Sequence, residues 1–235
     1  MDLLGLRGKR VFVTGASSGV GRATSIMLSQ LNADVILSAR RQDELEKTLS
    51  LMEQGNHKIV VCDISQFDNV VNAFKEASFD GKKLDGAIHC AGAVQLAPIR
   101  ALSSDILLHM LNVNFISFAA ILKCAASKRI FNPGASIVGI SSSVAVYGQK
   151  GNGAYGAAKG AMNALMKTAA LELAANQIRV NTICPGGIYS EMIDRNTADP
   201  SVLLGVDDVA KVLCFYMSDA SSSITGTNID FEKRL

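Results

Sequence analysis

Lys9-Arg10-Val11-Phe12-Val13-Thr14-Gly15-Ala16-Ser17-Ser18-Gly19-Val20-Gly21-Arg22-Ala23 is the stretch on which the fold turns. A short apolar run at 11–13 stops at a glycine-rich turn, and helix-patterned sequence follows, with Ile26, Leu28 and Leu31 as apolar contacts. Strand, glycine turn and helix in that order bring backbone N–H groups and a helix N-terminus together, a cradle for a pyrophosphate. Gly15 permits the tight turn, Gly19 lets the backbone approach phosphate oxygens, and Gly21 lets the helix pack closely on the strand. The spacing is G-x-x-x-G-x-G rather than G-x-G-x-x-G, so alone it also fits glycines that merely turn the chain.

Outward from this unit the same alternation repeats. Strand-like runs fall at 11–13, 35–37, 58–61, 86–89, 136–140, 179–183 and 227–229, and helix-patterned segments at 20–31, 42–54, 67–78, 104–127, 153–176 and 206–217. Strand followed by helix, six times over, predicts a parallel α/β sheet with right-handed crossovers and helices on both faces. No linker, repeat or low-complexity segment divides it, so residues 1–235 are expected to form one domain. With 49% hydrophobic residues the chain can fill a large core.

Composition narrows the function. A net charge of +2 and the lack of a basic stripe with interleaved aromatics argue against nucleic acid. Cysteines at 62, 90, 124, 184 and 214 are scattered, which predicts reduced thiols in a cytoplasmic protein and offers no metal-ligand spacing. The start, Met1-Asp2-Leu3-Leu4-Gly5-Leu6-Arg7, lacks signal-peptide architecture, and no run approaches eighteen apolar residues, so no membrane association is expected.

The chemistry is concentrated in Tyr155-Gly156-Ala157-Ala158-Lys159, with Ser142 thirteen residues before the tyrosine. Four residues make just over one helical turn, so the phenol and the ammonium share a face. A phenol with a pKa of about 10 is a poor acid or base near neutrality, and a neighbouring cation favours the phenolate. The spacing alone is equally that of a buried tyrosine and a lysine lying along an alanine-rich helix.

Taken together, these motifs identify a resemblance to the short-chain dehydrogenase/reductases of the compact type, running from about Lys9 to Ile229. The resemblance implies a doubly wound, Rossmann-type sheet of seven parallel strands in the order 3-2-1-4-5-6-7. It implies that Thr14-Gly15-x-x-x-Gly19-x-Gly21 is the nucleotide loop, with Ser17, Ser18 and Val20 inside it, and that Asp63-Ile64 contacts adenine. Asn114 occupies the family's catalytic asparagine position (Asn112 is the second choice), Ser142-Tyr155-Lys159 completes the tetrad, and Pro185-Gly186-Gly187-Ile188 is the nicotinamide-side loop. Ser190 stands where the family often has a threonine beside the carboxamide. Cys90-Ala91-Gly92 stands where it usually has Asn-Ala-Gly; a thiol lacks the amide's hydrogen bonds, which puts the support of that turn in question.

Cofactor preference is read at the end of the second strand. An acidic residue there accepts from the ribose 2′-hydroxyl when no phosphate is present. This chain has Ser38-Ala39-Arg40-Arg41, and no carboxylate before Asp43. A guanidinium pairs with a 2′-phosphate, and Ser17 and Ser18 could donate to it, so NADP(H) is expected over NAD(H). The alternative is that both arginines only solvate the start of the next helix.

The implied reaction is hydride transfer to a substrate carbonyl, with Tyr155 as general acid, Ser142 as second donor to the same oxygen, and both touching substrate. Lys159 would hold the ribose and lower the tyrosine's pKa, and Asn114 would carry a proton-relay water. Adjacent His89 and Cys90 point to opposite faces of a strand, and no metal is expected. The substrate lid, about 188–205, is short, and Tyr147, Gln149, Val144, Gln95 and Met192 are candidate wall residues. The C-terminus, Asp230-Phe231-Glu232-Lys233-Arg234-Leu235, departs from the family's Val-Asp-Gly-Gly.

The chain also resembles 3-oxoacyl-carrier-protein reductases, which raises an acyl carrier protein as partner, with Lys128-Arg129 as a basic docking spot and Leu171 where such enzymes often carry an arginine. Other readings are a general carbonyl reductase and a non-catalytic NADPH-binding sensor. A sugar-nucleotide epimerase is weakened because little chain follows Pro185-Gly186. The alanine-rich segment 153–176 allows close helix approach and predicts a homo-oligomer, a tetramer or a dimer.

Overall fold

A computed structural model describes residues 4–189 and 200–233. Seven strands form one sheet: β1 (Arg10–Thr14), β2 (Asp34–Ala39), β3 (Lys58–Val61), β4 (Leu84–His89), β5 (Phe131–Ile140), β6 (Arg179–Pro185) and β7 (Asn228–Phe231). All pair in parallel, in the order β3-β2-β1-β4-β5-β6-β7. β1 is buried along its whole length, which is why its sequence is a continuous apolar run rather than an alternating one.

Among the described residues seven α-helices surround the sheet: α1 (Gly19–Gln30), α2 (Gln42–Ser50), α3 (Phe67–Ala77), α4 (Ser104–Leu111), α5 (Ser117–Ala125), α6 (Gly153–Glu172) and α7 (Val206–Met217). Strand alternation divides the core in two. Phe12, Phe74, Phe118 and Phe131 lie on the face covered by α3, α5 and α6, while Val11, Val13, Leu28, Leu45 and Tyr216 lie on the face covered by α1, α2 and α7. Phe12 stacks on Phe74 with ring centres 4.1 Å apart, tying β1 to α3.

Of the boundaries that differ from the sequence reading, four bear on the site and its supports. The predicted helix at 42–54 ends at Ser50, ahead of a turn through Gly55. The predicted helix at 104–127 is α4 and α5 joined by a π-helical turn, Asn112–Ile116, whose wider hydrogen-bond spacing hydrophobic periodicity does not register. The segment at 153–176 is α6 followed by a tighter turn, Leu173–Asn176, stopped by Gln177 at φ 59°. β7 extends past 229, so Asp230 and Phe231 of the atypical C-terminus belong to the sheet, pairing with Cys184 and Pro185.

Ser104–Ala125 is long and apolar enough to cross a membrane by length and composition. The apolar residues of its second half face the core: Phe118, Ala120, Ile121, Leu122, Cys124 and Ala125 are buried beside α3 and β5. Core packing accounts for its composition. All five cysteines are free thiols.

Candidate active site

The site forms where the parallel strands end, because their loops all leave the same edge of the sheet. β1 runs into the glycine turn, and two of its glycines are required sterically. Gly15 has φ +69°, and a Cβ there would lie 2.8 Å from the Ala91 nitrogen. A Cβ on Gly21 would lie 2.2 Å from the Gly15 carbonyl oxygen, so α1 packs on the turn at backbone contact. Gly19 differs: its φ is +52°, yet nothing stands within 4 Å of its Cβ position. That open approach to a helix N-terminus suits phosphate oxygens. Ser17 is buried and Ser18 and Val20 are half-buried in the same turn.

Arg22, not singled out from the sequence, holds this turn. Its guanidinium donates to the Ser17 carbonyl, to Thr48 Oγ1 at 3.0 Å and to Glu44 Oε2 at 2.7 Å, joining the glycine turn to α2. The available signal was a cation in the first turn of a helix, where the dipole disfavours it unless a carboxylate answers. Ser38, at the end of β2, has its hydroxyl buried without a partner, and its carbonyl accepts from Ala16 N at 3.2 Å. Arg40 and Arg41 follow, both exposed. The Arg40 charge helps hold the Asp63 carboxyl below its usual range, behind the larger effect of the Ser65 backbone N–H on it. Arg40 and Asp63 are thus within electrostatic reach of one another at the ends of neighbouring strands, with half-buried Ile64 next to Asp63.

The turn after β4 is supported without an asparagine at 90. The Thr14 hydroxyl accepts from Ala91 N at 3.2 Å, and Asn114 accepts from Ala93 N at 3.2 Å while donating to Ala93 O at 2.9 Å. Cys90 points to the other face of the sheet, towards Thr24, and burial pushes its thiol up to about 12. Its neighbour His89 faces Ser117 and Phe118, so the pair diverges. Among the described residues no three His, Cys, Asp or Glu side chains converge as metal ligands.

Asn114 is fully buried on the π-helical turn and also donates to Met110 O at 3.0 Å. A Cβ on Gly92 would come within 2.9 Å of its amide oxygen and 3.7 Å of Lys159 Nζ, so the turn, the asparagine and the lysine meet there. Asn112 precedes it on the same turn and makes no such approach to Gly92 among these contacts.

Three adjacent serines end β5, and their surroundings separate them. Ser141 is buried, with its hydroxyl on the Lys159 carbonyl at 3.3 Å. Ser142 is half-buried, and its hydroxyl lies close enough to the Tyr155 phenol to oppose the effect of burial on it. Ser143 starts a short 3₁₀ turn, Ser143–Ala145. Gly156 lets that turn lie against α6, since a Cβ on it would meet the Val144 carbonyl at 2.9 Å.

Lys159 Nζ lies 5.7 Å from the centre of the Tyr155 ring and donates to the Ile140 carbonyl at 2.7 Å. Lys159 is not among the groups that shift the tyrosine's pKa here. Burial raises Tyr155 above its usual value, and the Ser142 hydroxyl opposes that shift. Burial brings Lys159 itself down to about 8. The two groups are thus moved by desolvation, and the ammonium's hydrogen bond goes to backbone rather than phenol.

Beyond β6, Pro185 is buried, Gly186 N donates to Phe231 O at 2.9 Å, and Ile188 bridges to Leu204. A Cβ on Gly186 would meet the Glu232 Cβ at 2.9 Å, so the C-terminal residues back this loop. Ser190 and Met192, with most of the expected lid, lie outside the described residues. Of the other wall candidates, Val144 is half-buried, while Gln95, Tyr147 and Gln149 are exposed. Lys128 and Arg129 precede β5, at the opposite end of that strand from Ser142.

A family model described as enoyl-(acyl carrier protein) reductase matches residues 15–233. The chain is 30% identical over 237 residues to the 3-oxoacyl-(acyl-carrier-protein) reductase FabG of Rickettsia conorii, covering 97% of this chain and 96% of that protein. It is 30% identical over 181 residues to carbonyl reductase family member 4 of Danio rerio, covering 77% and 76% of the two. Among solved structures, a short-chain dehydrogenase from Burkholderia cenocepacia in complex with NADP superposes with a TM-score of 0.90 at 25% identity, over 96% of this chain and 97% of that one.

Proposed function

The chain belongs to the short-chain dehydrogenase/reductase family, and on that footing we propose that it is a cytoplasmic enzyme that uses NADPH to reduce a substrate ketone to a secondary alcohol. One observation carries the reading: the Ser142 hydroxyl meets the Tyr155 phenol beside Lys159 and Asn114 at the strand ends. When bound, the nicotinamide cofactor supplies the hydride. The residues suited to hold its phosphates are the Gly15–Gly21 turn with Ser17, Ser18 and Val20. Arg40 and Arg41 would take the 2′-phosphate, Asp63 and Ile64 the adenine, the backbone of Cys90, Ala91 and Gly92 would run along the cofactor, and Pro185, Gly186, Ile188 and Ser190 would take the nicotinamide side.

Tyr155 donates its proton to the carbonyl oxygen as negative charge develops there, and Ser142 gives that oxygen a second hydrogen bond. Lys159 holds the ribose hydroxyls from its place beside the phenol ring. Asn114, its amide spent on the Ala93 and Met110 carbonyls, keeps the relay end of the site in register with Lys159. The single α/β unit assembles as a tetramer or dimer in this reading, and Leu108 on α4 and Leu171 on α6 stand exposed for it.

A 3-oxoacyl thioester is the second substrate class, favoured by the likeness to the Rickettsia reductase. The test is to mix the protein with NADPH and a panel of diketones, aryl ketones and a 3-oxoacyl thioester, following the nicotinamide absorbance. Consumption with one class names the substrate type. Tight NADPH binding with no consumption across the panel would overturn the enzymatic reading in favour of a sensor.

A further inference from the structure

Outside the tetrad, the most fully specified polar group near the site is His89, at the end of β4. It is 1% exposed, and both ring nitrogens have partners: Nδ1 lies 3.0 Å from Thr14 Oγ1 and Nε2 lies 3.1 Å from Ser117 Oγ. The partners' other bonds fix the tautomer. Ser117 has one hydroxyl proton, and it goes to the Val113 carbonyl at 2.6 Å. Its oxygen can therefore only accept from the ring, which puts the imidazole proton on Nε2. Nδ1 is then the acceptor, and the Thr14 hydroxyl donates to it while accepting the Ala91 N–H. One directed chain results: Ala91 N–H to Thr14, Thr14 O–H to His89 Nδ1, His89 Nε2–H to Ser117, Ser117 O–H to Val113 O.

The two ends of this chain matter. Ala91 stands in the turn pressed against Gly15, on the cofactor side. Val113 precedes Asn114 on the π-helical turn, which Ser117 follows directly. We propose that His89 is a positioning residue whose Nε2–H tautomer ties the cofactor-lining turn at Ala91 to the helical turn that carries Asn114. A phenyl ring in its place could stack on Phe118 as the imidazole does, with ring centres 5.9 Å apart, but would carry neither hydrogen bond. The groups facing the ring are Thr14 from β1, Ser117 and Phe118 from α5, and the Lys159 charge from α6. Burial, reinforced by Lys159, favours the neutral ring this chain requires.

The proposal rests on the reductase reading only for its kinetic arm. The primary test is nitrogen-15 NMR of histidine-labelled full-length protein between pH 7.5 and 5. The expected signature is a bare Nδ1 and a protonated Nε2 that do not titrate over that range; a proton on Nδ1, or a midpoint near that of a free histidine, overturns the proposal. The second arm compares Thr14→Val and Ser117→Ala. Loss of one neutral hydrogen bond is expected to weaken NADPH binding about fivefold in Thr14→Val, and to lower kcat about fivefold at unchanged NADPH affinity in Ser117→Ala. His89→Phe should move both, and His89→Asn, which can still donate and accept, should restore part of each. Equal effects of the two single variants on both quantities, or none on either, would overturn it. Because the tautomer and NADPH affinity need no turnover, a missing activity leaves this test intact.

Discussion

The Lys159 ammonium lies 5.7 Å from the centre of the Tyr155 ring and spends a hydrogen bond on the Ile140 carbonyl. The lysine is thus anchored to the strand that leads into Ser142, and Ser142 is the polar side chain that acts on the phenol. Replacing the phenol should remove proton donation and little else. Tyr155→Phe is expected to bind NADPH with near-native affinity, by fluorescence titration, while kcat falls about 10²–10⁴-fold. Retained turnover would show that the proton comes from another group.

Lys159 has a pKa of about 8, so it is an ammonium below that pH and loses its charge above it. Ketone reduction that needs the cation should lose activity on the alkaline side, about tenfold in kcat/KM per pH unit beyond pH 8. A profile flat to pH 10 would exclude the charge from the rate-determining step.

Arg40 is exposed, with its charge within reach of Asp63. A charge-assisted pair with a 2′-phosphate is worth about 10- to 100-fold in affinity. Arg40→Ala should raise the NADPH dissociation constant by that factor while leaving the NADH value unchanged. Equal losses for both cofactors would assign the arginine to adenine stacking instead.

The glycine turn offers a sharper contrast. Gly21→Ala forces a Cβ to 2.2 Å from the Gly15 carbonyl and should cost about 3 kcal/mol of stability, read by urea denaturation. Gly19→Ala meets no atom within 4 Å and should cost only about 1–2 kcal/mol, from its φ of +52°. Its methyl group would instead stand in the phosphate approach, so NADPH affinity should fall by more than stability does.

Acid should weaken the fold through His89. Its folded pKa is lowered to about 3, by burial and then the Lys159 charge, against an unfolded value near 6.5. The folded ring stays neutral while the unfolded one binds a proton, so this contribution is complete above pH 6.5 and drains as pH falls towards 3. Within that window the slope is about 1.4 kcal/mol per pH unit. Urea unfolding at pH 7 and 4.5 should show a larger acid loss in the wild type than in His89→Asn; parallel losses would assign the acid sensitivity to carboxylates alone.

What could be read in advance was whatever a single element carries at a fixed period. Gly15, Gly19 and Gly21 share one turn, and Tyr155 and Lys159 share one helix face, so local spacing was sufficient for both. The Thr14–His89–Ser117 chain was hidden because its members are 75 and 28 residues apart, and it takes the register of β1 beside β4 together with the placing of α5 to bring them together. The π-helical turn at Asn114 leaves no mark in a hydrophobic pattern. Among Ser141, Ser142 and Ser143 the chemistry is identical, and the choice depends on which hydroxyl the strand end turns towards α6 and which it buries. The electrostatics of Tyr155 eluded the spacing argument for another reason: proximity to a cation was visible, but the depth of burial and the competing Ile140 carbonyl were not.

The order in which the strands lie has a consequence for how the molecule is made. β2 joins β1, β3 joins β2, β4 takes the other side of β1, and β5, β6 and β7 each extend that side in turn. No late strand has to be wedged between two earlier ones. A ribosome releasing this chain therefore always presents the newest strand to a margin already laid down, and the bench for Tyr155 is built before the final strand arrives to brace it.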